Sequence, residues 1–296
     1  MVKSLKYTYE HHYKKLLLIP FIILILAIVQ IGIQTSITGD FVNKGVTLKG
    51  GSTITIDAED VHVSITELDS FIRSKFPRAD INVRTISSAG SVVSIAIDTD
   101  AQEKSEIDAV ISTLSDKITL TKGNYNVEVM GSSLGNSFFK QTLIALLIAF
   151  LLMGLVVLIY FRTIVPSLAV VLAAFSDIVV TLAIFNLTGM KLSTAGIAAF
   201  LMLIGYSVDT DILLSSRLLK RKEGSVMEKI YGAMKTGLTM STTTLVAIFV
   251  SLIFVRSEII KQIMIILFIG LLVDLVMTWI QNVGILRIYL ERRKKN

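Results

Sequence analysis

The sequence predicts an α-helical polytopic membrane protein with six transmembrane helices and one α+β domain between the first and the second. The chain is 53% hydrophobic and its mean hydropathy is +0.71, which is too apolar for a soluble protein of 296 residues. Its apolar residues are concentrated in six segments, while one long stretch is polar and mixed in charge. Because the chain has no cysteine, disulfides, thiol catalysis and cysteine-ligated metals are excluded.

The N-terminal part predicts a short polar segment followed by the first transmembrane helix. Residues 1–15 are polar and basic, and residues 16–34 follow without a charge. This apolar run is long for a signal peptide, and no cleavage site with small residues stands out after it. We therefore expect 16–34 to stay in the protein as a transmembrane helix.

The polar insertion, residues 35–138, has the pattern of a soluble α+β domain. Ser64, with Glu67 three residues later, predicts the start of its first helix. The order strand, helix, strand, strand, helix, strand is that of a ferredoxin-like domain. His62 has no ligand-like cluster nearby, so we expect a structural or solvated role for it. The predicted elements are strand 46–57, helix 64–76, strands 80–87 and 91–98 with a turn at Ala89-Gly90, helix 102–118 and strand 124–130.

Five more apolar segments form the predicted transmembrane bundle, 139–288, and each exceeds the about 20 residues that span a bilayer. Basic residues are concentrated in the short regions on one side of the predicted helices and are few in the short loops on the other. The positive-inside rule then places both termini, including the basic tail 289–296, in the cytoplasm and the α+β domain outside. The protein is predicted to be a multi-pass protein of the cell membrane. The five segments are 141–161, 163–187, 192–216, 230–255 and 262–286.

Five ionisable side chains lie inside these apolar segments, and they are the predicted functional centre. A charged side chain inside a bilayer costs about 3 kcal/mol on insertion scales, so it usually has a partner or a function. We therefore favour an ion relay over a role in holding the helices together, although either role is open for any single residue. The five residues are Asp177, Asp209, Asp211, Lys235 and Asp274.

Counting residues from the basic side predicts the depth of these groups, at about 1.5 Å of helix per residue. Asp209 is roughly 12 Å from Arg217, and Lys235 lies at a similar depth on the next helix, so the two could pair. We expect Lys235 to approach Asp209 or Asp211 in one state of the protein. Asp177 and Asp274 are expected to share a deeper layer, roughly 20 Å in.

The two aspartates of the fourth span, Asp209 and Asp211, point in nearly opposite directions on a helix, so only one of them can face Lys235. Small and hydroxyl-bearing residues nearby are expected to permit close helix packing or the access of water. These residues are Gly205, Ser207, Thr236, Thr239 and Thr243.

An intramembrane aspartyl protease is the enzymatic alternative, because such enzymes also place aspartates on adjacent spans. The stretch 205–209, GYSVD, lacks the second glycine of their GxGD motif, and its spacing is wrong. We therefore predict no enzymatic activity, no catalytic residue, no metal and no cofactor.

Three stretches of the chain, residues 176–182, 204–209 and 243–245, resemble motifs of the SecD/SecF family of protein-export membrane proteins. Residues 204–209, IGYSVD, are similar to the fourth-span signature IGYS-(L/V)-N-D of the family. Residues 176–182, SDIVVTL, are similar to its third-span pattern HDV-x-x-TL, and residues 243–245, TTL, to a fifth-span run. One span, an external domain and five further spans is also the layout of the family.

Where the chain departs from these motifs, it resembles the archaeal branch of the family. Ser176 replaces a histidine, Asp209-Thr210 replaces Asn-Asp, and Lys235 replaces an arginine, which in strict register would align with Thr236. The carboxylate of the fourth-span motif is therefore displaced by one position, to Asp209 or Asp211.

The resemblance implies a SecD–SecF complex that assists Sec-dependent protein translocation across the cytoplasmic membrane and uses the proton or sodium gradient. It implies a SecD-like membrane subunit, a SecY/SecE-type translocon channel, a translocating polypeptide and membrane lipid as partners. Most of the basic residues lie just outside the apolar segments, so we expect no nucleic-acid partner. Two alternatives stay open. One is half of a solute efflux pump of the resistance-nodulation-division type, and the other is a purely structural translocon subunit without ion coupling.

Overall fold

The computed structural model describes residues 2–57, 64–88, 91–121, 123–221, 223–255 and 257–295. His62 and the predicted turn at Ala89-Gly90 lie outside these residues. The elements in chain order are α1 (Val2–His11), α2 (Tyr13–Leu16), α3 (Leu18–Thr38), α4 (Val46–Lys49), β1 (Gly51–Asp57), α5 (Ile65–Lys75), β2 (Asn82–Ser88), β3 (Ser91–Thr99), α6 (Lys104–Ser115), β4 (Tyr125–Met130), α7 (Ser132–Phe161), α8 (Ile164–Leu187), α9 (Thr194–Lys220), α10 (Val226–Phe254), α11 (Glu258–Val276), a π-helix (Met277–Asn282) and α12 (Val283–Lys295).

The six predicted transmembrane segments are confirmed as helices that are long and apolar enough to cross a membrane, six in the part of the chain that the structure describes. Helices α8 and α9 lie at the centre of the bundle, whereas α7 and α10 expose most of their side chains. The second segment starts earlier than predicted, at Ser132. The six helices are Tyr13–Thr38, Ser132–Phe161, Ile164–Leu187, Thr194–Lys220, Val226–Phe254 and Ile259–Arg293.

The four strands form one antiparallel sheet in the order β2-β3-β1-β4. Ile54 of β1 is paired with Ile97 of β3 on one side and with Val127 of β4 on the other. Because successive side chains of a strand point to opposite faces, alternate isoleucines pack together with Leu68 of α5 and Leu114 of α6 in one apolar core. We refer to β1–β4 with α5 and α6 as the sheet domain.

The predicted N-cap of α5 is confirmed, because the Ser64 hydroxyl accepts a hydrogen bond from the Glu67 N–H at 3.2 Å. The predicted strand 46–57 is wrong at its start, where residues 46–49 form α4. Leu48 of α4 is fully buried in the apolar core of the membrane bundle rather than in that of the sheet domain. Gly50, with φ at +92°, then turns the chain into β1, a conformation that favours glycine.

A second contact fixes the sheet domain to the bundle through Asp80, which lies between α5 and β2. Lys191, in the loop between α8 and α9, donates to the Asp80 carboxylate at 2.6 Å, and Lys49 is 3.5 Å away. Burial of the carboxyl group raises its pKa, but the hydrogen bond and charge of Lys191, together with Lys49, outweigh burial and hold the pKa of Asp80 below its usual value. The α8–α9 loop therefore lies on the same side of the bundle as the sheet domain.

Candidate functional site

Three of the five predicted relay residues meet in the centre of the bundle. Asp177 of α8, Asp211 of α9 and Asp274 of α11 have no exposed surface, and we call them the carboxylate cluster. Close packing of α11 on α9 brings them together. At Gly270 of α11, a Cβ atom would lie 2.4 Å from a methyl group of Leu203, so this side chain packs directly on the backbone of α11.

The π-helix at the end of α11 supplies two polar groups to Asp211. The Thr278 hydroxyl oxygen is 2.9 Å from Asp274 Oδ1 and 3.0 Å from Asp211 Oδ1. The Asn282 amide donates to the same Asp211 oxygen at 2.7 Å. Asp274, Thr278 and Asn282 are spaced four residues apart and, with the π-helix between them, form one polar face of the sixth span.

The third carboxyl group, Asp177, is joined to the other two through α9. The Ser207 hydroxyl donates to Asp177 Oδ2, and the Ser207 carbonyl accepts from the Thr210 hydroxyl at 2.8 Å. Thr210 Oγ1 also lies 3.3 Å from both oxygens of Asp274. A continuous series of polar groups therefore links three helices. Asp177 Oδ1 and Asp211 Oδ2 have no hydrogen-bond partner among the described residues, so Asp177 and Asp211 can each accept or carry one more hydrogen at that oxygen.

The contacts of Thr278 constrain the number of protons in the cluster. A hydroxyl group has a single hydrogen, so Thr278 can donate to only one of the two carboxyl oxygens that it touches. The other contact is a hydrogen bond only if that carboxyl group is protonated and donates to Thr278. When both bonds form, Asp211 and Asp274 together hold at least one proton. The ion pairs found in the described ranges all lie outside the cluster, so no basic side chain of these ranges neutralises it.

The remaining two predicted relay residues, Asp209 and Lys235, lie apart from the cluster. Both side chains are exposed on the surface of the bundle. No ion pair joins Lys235 to Asp209 or to Asp211 in the residues that the structure describes. Their pairing in another state of the protein stays a prediction.

Arg217 of α9, from which the depth of Asp209 was counted, contacts α10. Its guanidinium donates to the Gly232 carbonyl and, at 2.8 Å, to the Thr236 hydroxyl. Asp211 and Asp274 both contact Thr278, so these two carboxyl groups lie at one level of the bundle. The depths of Asp209 and Lys235 stay predictions.

The small and hydroxyl-bearing residues divide into two groups. Ser207 binds the carboxylate cluster, and Thr236 binds Arg217. Gly205 makes no close contact within the described residues, because none of their atoms lies within 4 Å of the position that a Cβ atom would take. Its role in helix packing or water access stays a prediction. Thr239 and Thr243 are exposed and donate to carbonyls of their own helix, so they do not join the cluster.

Sequence reasoning missed four residues of this site. Thr210, Thr278 and Asn282 contact the carboxylates, and the Gln281 amide donates to the Ser176 hydroxyl at 3.1 Å. A signal for two of them was present, because Thr278 and Asn282 continue the spacing of four that starts at Asp274.

Comparison with protein families gives one match that covers most of the bundle. Residues 109–292 match the family described as "Protein export membrane protein SecD/SecF, C-terminal". Curated relatives include the protein-export membrane protein SecF of Pyrococcus furiosus, 40% identical over 99% of this chain and 96% of that protein. The SecF of Methanothermobacter thermautotrophicus is 38% identical over 95% of this chain and 94% of that protein.

Two solved structures share the fold. The SecDF of Thermus thermophilus, described as a translocon-associated membrane protein, matches with a TM-score of 0.72 at 20% identity, over 96% of this chain and 39% of that one. A SecDF structure in a super-membrane-facing form matches with a TM-score of 0.60 at 20% identity, over 94% of this chain and 38% of that one. This chain thus corresponds to about two fifths of each SecDF chain.

The names of the relatives bear on the alternatives. They are protein-export membrane proteins rather than enzymes, which agrees with the prediction of a non-enzymatic role. Half of a solute efflux pump is not favoured for the same reason. Identity of 36 to 40% over almost the whole length, together with the family match, is far above chance resemblance. The chain therefore belongs to the SecD/SecF family of protein-export membrane proteins, among its SecF members.

Proposed function

We propose that this chain is the SecF subunit of a SecD/SecF complex that assists Sec-dependent protein translocation across the cytoplasmic membrane. The energy source is the proton gradient, or the sodium gradient, acting through the intramembrane carboxylates. The observation that carries this proposal is the hydroxyl of Thr278, which touches Asp211 and Asp274 at 3.0 and 2.9 Å inside a fully buried cluster. Such groups inside spans typically mark ion pathways.

The geometry suits proton transfer because the two carboxyl groups share one hydroxyl. A proton on Asp274 is donated to Thr278 Oγ1 while the hydrogen of Thr278 passes to Asp211 Oδ1. The result is a protonated Asp211 and an ionised Asp274, with no net change in the charge of the pair. Asp177 lies beside this pair through Thr210 and Ser207, but these contacts do not carry the proton to it, because the Ser207 carbonyl that accepts from Thr210 has no hydrogen to pass on.

The exposed charges support a membrane partner. Asp209 and Lys235 lie on the surface of apolar helices, where contact with lipid hydrocarbon is costly. A second membrane subunit with complementary polar groups would cover them, and in the SecDF proteins the remaining three fifths of the chain provides a candidate. We therefore propose a SecD-like partner at this surface, with the SecY/SecE-type channel and the translocating polypeptide as further partners of the complex.

The sheet domain is proposed to be ferredoxin-like and extracytoplasmic. The strand order β2-β3-β1-β4 supports the first part, and the surplus of basic residues at the opposite side of the bundle supports the second. Reporter proteins fused after residue 120 should be extracytoplasmic, and those fused after residues 222 and 296 should be cytoplasmic. A cytoplasmic reporter at 120 would contradict the proposal, because the domain would then lie away from the emerging polypeptide.

The decisive experiment is gradient-dependent export in reconstituted vesicles that contain the complex. Asp211→Asn should abolish the dependence of export on the gradient, because an amide cannot accept the proton from Thr278. Asp209→Asn should retain most of it, because this side chain lies outside the cluster. Lys235→Ala should reduce it if Lys235 approaches a fourth-span carboxylate in another state. Co-purification with the SecD-like subunit serves as the control for assembly.

The outcomes separate the relay from the structural alternative. Loss of gradient dependence in Asp211→Asn, with assembly intact, supports the relay. Unchanged gradient dependence in all three variants contradicts it and leaves a purely structural translocon subunit.

A further inference from the structure

The N-terminal helix α1 contacts the sixth span at the face of the bundle opposite the sheet domain. The Arg287 guanidinium donates to the carbonyl of Tyr9 at 3.0 Å and to that of Glu10 at 2.9 Å. These carbonyls belong to the last turn of α1, the negative end of the helix dipole, where a cation is favourable. Arg287 itself is only 8% exposed. The end of α1 is therefore held at a defined position on the bundle.

A second contact connects α1 to the π-helix itself. The Tyr9 hydroxyl donates to the carbonyl of Trp279 at 2.8 Å. Burial raises the pKa of the Tyr9 hydroxyl above its usual range, so the group remains a donor at every physiological pH. Trp279 lies between Thr278 and Asn282, the two residues that contact Asp211.

The ring of Trp279 is held from the other side by α10. A Cβ atom at Gly237 would lie 2.3 Å from the ring, so the indole packs directly on the backbone of α10. Its backbone carbonyl faces Tyr9 and its ring faces Gly237. The π-helix is thus fixed between α1 and α10 at the residue in the middle of the polar face.

We propose that α1 is a clamp that holds the π-helix in the register in which Thr278 and Asn282 both reach Asp211. Tyr9 is a positioning residue, because it acts on the carboxylate cluster through the Trp279 carbonyl and does not touch the cluster. Arg287 is a second positioning residue, because it holds the carbonyls of Tyr9 and Glu10. Without the clamp, residues 277–282 can return to regular α-helical bonding, which changes the rotation per residue and turns the two donors away from Asp211. The consequence for export rests on the proposed function, whereas the clamp itself does not.

Hydrogen–deuterium exchange of the purified complex tests the clamp directly. Tyr9→Phe removes only the hydroxyl, and Tyr7→Phe is the matched control because Tyr7 is 57% exposed on the same helix. Exchange of the amides 277–287 should be faster in Tyr9→Phe by about fivefold, the effect of one neutral hydrogen bond, and unchanged in Tyr7→Phe. Exchange at the parent rate in Tyr9→Phe would overturn the proposal.

Labelling of the carboxyl groups with dicyclohexylcarbodiimide tests the link to the cluster. This reagent reacts with protonated carboxyl groups in apolar surroundings. Asp177 is the internal reference, because its donor Ser207 lies outside the π-helix. In Tyr9→Phe and in Arg287→Gln, the ratio of Asp211 to Asp177 labelling should rise by about twofold or more, since Asp211 loses its donors.

Each result has a clear meaning for the clamp. A raised labelling ratio together with faster exchange supports the clamp. If export by the parent complex shows no gradient dependence, that result counts against the proposed function and leaves the clamp supported. An unchanged labelling ratio despite faster exchange overturns the positioning role of Tyr9 and Arg287.

Discussion

Replacing Thr278 by valine removes the group that joins Asp211 and Asp274 while keeping the shape of the side chain. The hydroxyl is fully buried and makes two contacts, at 2.9 Å to Asp274 and 3.0 Å to Asp211. Because valine has nearly the same volume, no cavity forms. The effect of Thr278→Val therefore reports the polar contacts alone.

The magnitude follows from the two hydrogen bonds. A bond to an ionised carboxylate contributes about 1.5 to 3 kcal/mol, and a bond between neutral groups contributes about 1 kcal/mol. We therefore expect Thr278→Val to lower the free energy of unfolding by about 3 kcal/mol. Thr278→Ser keeps the hydroxyl and should restore most of the stability. Thr239→Val is the matched control, because the Thr239 hydroxyl is exposed and, among the described residues, bonds only to the Lys235 carbonyl of its own helix.

Thermal unfolding of the purified protein in detergent measures the stability, and reconstituted vesicles measure the gradient dependence of export. We expect Thr278→Val to lose both stability and gradient dependence, Thr278→Ser to retain gradient dependence, and Thr239→Val to resemble the parent. If Thr278→Val unfolded at the parent temperature and exported with the parent's gradient dependence, the shared hydroxyl would have no role, and the argument on the proton count would fail with it.

Two further predictions concern packing and pH. Gly237→Ala should lower the free energy of unfolding by about 1 to 3 kcal/mol, because its Cβ atom would meet the ring of Trp279 at 2.3 Å. Gly205→Ala is the control and should have almost no effect in the same unfolding assay, because no atom of the described residues lies within 4 Å of its Cβ position. Lys191 and Lys49 hold the pKa of Asp80 low, so the Asp80 contacts stabilise the protein fully at a pH above the usual aspartate pKa. This stabilisation is lost as the pH falls through the lowered pKa of Asp80. Since the Asp80 side chain is 42% exposed, Asp80→Asn should cost under about 1 kcal/mol at pH 7 and remove this part of the acid sensitivity, which unfolding measured between pH 7 and pH 3 would detect.

The helices and strands were predictable because their signals are local. An apolar run of about 20 residues predicts a membrane helix without knowledge of its neighbours, and alternation predicts a strand in the same way. The segment 46–49 shows where this reasoning fails. Val46 and Leu48 alternate with polar residues as in a strand, but Leu48 packs into the membrane bundle, a contact that depends on how α7 meets the sheet domain.

The site was predictable only in part, because the partners of a buried carboxylate lie on other helices. The cost of a charge in a membrane correctly singles out Asp177, Asp211 and Asp274 as residues in need of partners. It does not separate Asp211 from Asp209, which differ only in the side of α9 on which they lie. The contacts of Arg217 with Gly232 and Thr236 could not be predicted for the same reason, because they join two helices.

The π-helix explains why one face of the sixth span can serve two carboxylates. An α-helix turns about 100° per residue, so each step of four residues leaves a side chain about 40° past its predecessor. Asn282 would then lie about 80° away from Asp274, too far around the helix to share its neighbours. The wider turn of a π-helix removes much of this drift and keeps Thr278 and Asn282 beside Asp211. The spacing of Asp274, Thr278 and Asn282 is visible in the sequence, but the turn that aligns them depends on Tyr9 and Gly237, which are remote in the chain and meet at Trp279 only in the folded bundle.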